Sequence, residues 1–82
     1  SGKGNMALYP NPANNTLYVS GTDDKNVVVS IYNEVGHIVT TLSSNGETIR
    51  TGGIDVSQLL PGAYSIQVKG ESGLTTMRFV KQ

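Results

Sequence analysis

Apolar and polar residues alternate with a period of two in several short stretches of this chain, and nowhere recur at helical spacing for more than one turn. The clearest stretch is residues 64–69, where Tyr64, Ile66 and Val68 interleave with Ser65, Gln67 and Lys69, as in a strand with one buried and one wet face. Residues 27–32 are the most β-prone run, rich in branched side chains that suit a pleated surface, with Val27, Val29 and Ile31 on one face. In residues 16–20, Leu17 and Val19 share a face opposite Tyr18, and in residues 74–81, Met77 and Phe79 share one. Shorter runs at residues 6–9, 37–42 and 47–52 bring the expectation to seven strands. Only residues 56–60 leave room for a helical turn.

Turn chemistry separates these runs. Pro10 and Pro12 remove backbone donors in a turn that also holds Asn11, Asn14 and Asn15, and residues 21–26 form a polar loop. Asn33-Glu34-Val35-Gly36, Ser43-Ser44-Asn45-Gly46 and Gly70-Glu71-Ser72-Gly73 each read as a tight hairpin connection. Pro61 followed by Gly62 predicts a type II turn over residues 60–63 that reverses the chain. Turn signals about every ten residues predict an all-β fold, a seven-stranded antiparallel immunoglobulin-like β-sandwich. Tyr64, just past a turn, resembles the buried tyrosine at the start of a late strand in such domains.

A length of 82 residues makes one small domain, with little interior for a catalytic cleft beside a core. Residues 1–5 are small and polar and read as a linker or cloning remnant, leaving residues 6–82 as the folded unit. Six basic and six acidic residues are scattered singly and sum to zero, so no patch draws in nucleic acid or anionic lipid. Cysteine is absent, which removes disulfides and thiolate metal sites and leaves packing to stabilise the fold. No apolar run reaches the roughly 18 residues of a membrane-spanning helix, and the first residues lack a signal-peptide pattern. Export of this chain would be directed by another segment, by the domain itself, or by both.

Candidate chemistry is sparse. His37 is the only histidine, so no histidine-based triad or multi-histidine metal site forms, and its place after Gly36 suggests a solvent-facing strand end. Asp23-Asp24 lacks the alternating oxygen ligands and fixed glycine of a dedicated calcium loop and reads as solvated. Asn14-Asn15-Thr16 matches a glycosylation tripeptide within a turn that favours asparagine anyway. Tyr9, Tyr18, Tyr32 and Tyr64 have no interleaved basic residues, as a nucleic-acid groove requires, and read as core and edge residues. The residues alone imply no catalytic group, no metal and no cofactor.

Four motifs in order add to this. Tyr9-Pro10-Asn11-Pro12 precedes Leu17 and Val19; residues 29–36 end in Asn33-Glu34-Val35-Gly36; Ile54-Asp55-Val56-Ser57 leads to Leu60-Pro61-Gly62-Ala63-Tyr64; and the sequence closes on Arg78-Phe79-Val80-Lys81-Gln82. Over residues 6–82 this pattern resembles the type A C-terminal sorting domains of the type IX secretion system. The resemblance implies a domain joined to a larger exported passenger in a bacterium of the Bacteroidetes type, crossing the periplasm on its way to the cell surface or beyond. The implied partners are outer-membrane translocon components, a sortase-like cysteine peptidase that removes the domain, and the covalently linked N-terminal passenger, which is attached to an anionic lipopolysaccharide. The implied sorting residues are Pro10, Asn11, Pro12, Gly36, Gly62, Tyr64, Arg78, Phe79, Val80 and Lys81.

A spacer or adhesion module of immunoglobulin or fibronectin type, binding carbohydrate or protein, is the alternative. The absence of tryptophan and the Pro-Asn-Pro turn count against it. Two further expectations concern edges. Residues 6–9, hinged by the proline turn, offer an edge or exchangeable strand for a homodimer. The final hairpin, residues 63–82, is expected to carry the export information, with Arg78 and Lys81 placing charge beside Phe79 and Val80 at an open sheet edge where a translocon component adds a strand, and removal of residues 80–82 is expected to cost little core.

Overall fold

The computed structural model describes residues 6–71 and 73–82. The expected linker at residues 1–5, and Ser72 of the last hairpin, lie outside the described residues. In chain order the elements are β1 (Ala7–Tyr9), β2 (Thr16–Ser20), β3 (Val27–Tyr32), β4 (Ile38–Ser44), α1 (Gly46–Thr51), β5 (Ile54–Asp55), β6 (Gly62–Gly70) and β7 (Gly73–Lys81). They form two antiparallel sheets, ordered β1-β2-β5 and β4-β3-β6-β7. The period-two pattern decides what lies between them. Leu17 and Val19 from β2 meet Val29, Ile31, Ile66 and Val68 from the larger sheet, each with 0% of its surface exposed.

The strand count matches expectation, but its membership differs. Residues 47–52, expected as a strand because Thr48, Ile49 and Thr51 are β-branched, form α1 instead. Capping decides this. Asn45 accepts from the Thr48 amide at 2.8 Å through its side chain, Glu47 sits in the first turn where the helix dipole favours an acid, and Arg50 sits in the last. At the other end, the amides of Gly52 and Gly53 both donate to the Thr48 carbonyl, and Gly53 has the positive φ of 78° that a helix-ending glycine supplies. Ile49 is buried, and the helix packs on β2. The hairpin expected at residues 43–46 is therefore the entry to this helix, and the seventh strand is the two-residue β5.

The chain reversal before β6 also falls elsewhere. The Leu59 amide donates to the Val56 carbonyl at 3.1 Å, and the Ser57 amide to Asp55 Oδ1 at 2.9 Å, so the turn spans residues 56–59. Gly62 is already the first residue of β6, with φ +152°, so no type II turn forms at residues 60–63. The segment carries the chain from the smaller sheet to the larger. The hairpin at residues 33–36 forms as expected, held by Asn33 Oδ1, which accepts from the amides of Val35 and His37 at 3.0 Å each, and β6 pairs antiparallel with β7 out to Gly70 opposite Gly73.

Candidate recognition surface

The Tyr-Pro-Asn-Pro turn and the Arg-Phe-Val-Lys-Gln stretch lie against one another. β7 is the outer strand of the larger sheet, and its end is covered by residues 11–13. Asn11 Oδ1 accepts from the Val80 amide at 3.0 Å. The Ala13 amide donates to the Val80 carbonyl, and the Gln82 amide to the Ala13 carbonyl, both at 2.8 Å. These bonds make a short parallel bridge between Ala13 and Lys81, and Ala13 is fully buried beneath it. The expectation of an open edge at residues 80–82 is thus corrected: proline removes donors from the turn, but Asn11 and Ala13 supply partners for the strand. The proline turn is no free hinge, since it is tied to β7; both its X-Pro bonds, Tyr9-Pro10 and Asn11-Pro12, are cis. Removing residues 80–82 is no minor loss either, because Lys81 is only 8% exposed and its ammonium donates to the Gln82 carbonyl at 3.1 Å.

The third motif joins the same end. Tyr64 Oη donates to the Leu60 carbonyl at 2.6 Å, the corner arrangement in which a tyrosine ties its strand to the preceding turn. Its ring stacks on Phe79, with centroids 5.5 Å apart and an interplanar angle of 18°. The cross-strand register explains the meeting: Tyr64 lies opposite Phe79, Ala63 opposite Val80, and Gly62 opposite Lys81. Tyr9 stacks on Tyr18 of β2 in the same manner, at 5.5 Å. Arg78 lies opposite Ser65 and faces outward, lining with Asn33 and Glu34 a recess of about 300 Å³. Gly36 stays apart from the clasp, in the β3–β4 hairpin, where φ is +90° and only glycine turns without strain.

Beside the recess runs a groove of about 570 Å³ between that hairpin and the residues leading into β6. Val35, Val39, Leu60 and Pro61 are on its walls, and Val35 and Leu60 are about three-quarters exposed, at 74% and 76%. The sequence pattern did not single out Val39, which lies at the start of β4 where a register shift breaks the alternation, nor Val35 or Leu60, because an exposed apolar residue in a loop has no periodicity to betray it. Ala13 was missed as core for the same reason.

Among the described residues no group of His, Cys, Asp or Glu converges to hold a metal. His37 and Asp23 are exposed. The perturbed acid is Asp55, held below its ordinary value of 3.8 by hydrogen bonds from the Ser57 side chain and amide. It braces the turn at residues 56–59.

These features define a small β-sandwich with three of its sequence motifs meeting at one end. The chain belongs to the secretion system C-terminal sorting domain family, which it matches over residues 7–82. It therefore carries a sorting signal for type IX secretion, engages that machinery, and is directed to the cell surface or out of the cell. No curated protein and no solved structure matches it.

Proposed function

We propose that the type IX outer-membrane translocon reads the end of the sandwich where the motifs converge: the clasp of residues 10–13 with Val80 and Lys81, the Tyr64–Phe79 stack behind it, and Arg78, Gly62 and the Gly36 hairpin around it. The observation that carries this is the trio of hydrogen bonds joining Asn11 and Ala13 to Val80 and Gln82. They make one surface from motifs at opposite ends of the sequence, so a reader of that surface tests the fold and the sequence together. In this reading residues 1–5 link the domain to an N-terminal passenger that crosses the periplasm with it. A sortase-like cysteine peptidase then cuts near that linker, and the passenger joins the surface. A free-standing adhesive module gains no support from the groove, which holds none of the four tyrosines but Tyr64, itself buried.

Fusion of residues 1–82 behind an unrelated periplasmic protein, in a host with the type IX machinery, tests the reading. The passenger is expected at the surface with the domain removed. Arg78→Ala, on an exposed side chain, is expected to lower export while leaving the circular dichroism spectrum unchanged. Retention of the fusion in the periplasm, where an established sorting domain succeeds, refutes the assignment. Normal export of Arg78→Ala together with Asn11→Ala refutes the placement of the recognition surface.

A further inference from the structure

The two outer strands of the larger sheet are protected very differently. On β7, Val80 points its amide and carbonyl away from β6, and residues 11–13 take both. Arg78, exposed on β7, adds charge along that strand. On the smaller sheet β1 is three residues long and runs straight into prolines, and β5 is two residues long. β4 has none of these devices. Its seven residues, Ile-Val-Thr-Thr-Leu-Ser-Ser, include no charge, no proline and no glycine, and among the described residues its partner is β3 alone. A bulge between Ile31 and Tyr32 re-aims its first residues and leaves the rest regular. Strand edges of this kind are normally blunted or covered.

Alternation of backbone direction fixes what that edge presents. Because Val80 faces outward, Phe79 bonds Tyr64, Ser65 bonds Tyr32, and Ile31 bonds Thr40. Thr40, Leu42 and Ser44 therefore face β3, and Thr41 and Ser43 turn their amides and carbonyls to solvent. Large exposed apolar side chains gather beside them: Val28 at 41%, Ile38 at 57%, Val39 at 40% and Val35 at 74%.

We propose that this edge is a self-association seam, at which β4 of one copy pairs antiparallel with β4 of another to make a continuous eight-stranded sheet across a two-fold axis. A second copy fits for three reasons. Antiparallel pairing of a strand with itself is self-complementary. The absence of charge on β4, and a net charge of zero, remove repulsion between copies. The apolar side chains of one edge continue into those of the other. Seven residues make a seam roughly 24 Å long at about 3.4 Å each, and the chain's smallest extent is 19 Å. The buried area is then at most about 900 Å² for the pair, under the roughly 1,200 Å² where stable interfaces begin, so the dimer is weak and transient. This relocates to β4 the association that the sequence suggested for residues 6–9. It stands apart from the sorting reading, because it requires only this chain.

Sedimentation equilibrium of the purified chain, from about 10 µM to 1 mM, tests it against the monomer mass of 8.7 kDa. Thr41→Pro removes only an outward amide, a change edge strands tolerate, and is expected to weaken association at least tenfold with an unchanged circular dichroism spectrum. Thr41→Lys is expected to do the same by setting like charges across the seam. Mixing it with Thr41→Glu is expected to restore a heterodimer, and Thr76→Lys on β7 to change nothing. Monomer at every concentration overturns the proposal. So does a dimer that survives folded Thr41→Lys, or one that Thr76→Lys abolishes; should Thr41→Pro fail to fold, the charge-swap pair decides.

Discussion

If the clasp is what holds β7 closed, Asn11 and Val80 must act as one unit. Asn11→Ala removes the side-chain oxygen that accepts the Val80 amide at 3.0 Å. Val80→Pro removes the amide itself, and because that amide points away from β6, the ladder to Tyr64 and its neighbours survives. The bond is solvent-exposed, so water replaces either lost partner, and each change is expected to cost about 1 kcal/mol. For 82 residues total stability is about 4–12 kcal/mol. A loss of 1 kcal/mol lowers the urea midpoint by about 1 M, taking a slope of about 1 kcal/mol/M for so small a domain. The chain has no tryptophan, so unfolding is followed by far-ultraviolet circular dichroism. The decisive figure is the double variant. Both changes remove the same bond, so together they should cost about 1 kcal/mol and not about 2, a coupling of about 1 kcal/mol. Costs that simply add would show that the bond contributes nothing and that the turn lies beside β7 without holding it.

Three other outcomes follow from the geometry. Gly46→Ala, ordinarily favourable in a helix, should destabilise by about 1–3 kcal/mol in thermal melts, because its Cβ would collide with the Thr22 carbonyl oxygen and come within 2.7 Å of the Asp23 Cα. Tyr64→Phe keeps the stack on Phe79 but orphans the Leu60 carbonyl, and should cost about 1–2 kcal/mol by urea denaturation. The folded Asp55 carboxyl titrates below its ordinary 3.8, so its stabilising contribution is complete above that pH and is lost as pH falls through the lowered value; Asp55→Asn should flatten the stability profile below about pH 4, and an unchanged acid limb would refute the role given to Ser57.

Where side chains alternate, the chain could be read directly. The inward faces of β2, β3 and β6 follow from composition and period alone, as do the hairpins whose glycines and asparagines allow tight turns. Residues 47–52 were misread because Thr48, Ile49 and Thr51 favour strands individually, whereas the outcome was decided at the ends by Asn45 and the Gly52-Gly53 pair. Local preference lost to end effects. The motifs around the recognition surface were visible as words, and Tyr64 was placed correctly at its corner. Their meeting was not, since Asn11 and Val80 lie 69 residues apart and no periodicity spans such a separation. Ala13, too small to signal burial by pattern, disappeared into the turn for the same reason.

The clasp also ties the fold to the order of synthesis. Residues 7–20 leave the ribosome ahead of β3 to β7, yet Ala13 finds its cover only when Val80, Lys81 and Gln82 have followed. A chain halted before Val80 can lay β3 against β4 but leaves the Ala13 amide and carbonyl and the Asn11 side chain without the strand they bond. Closure at this end therefore waits on Val80 and Gln82, 67 or more residues after the turn they bond. Any machinery that engages the closed clasp, and not its parts, distinguishes a domain whose β7 is in place from one whose β7 is missing or displaced.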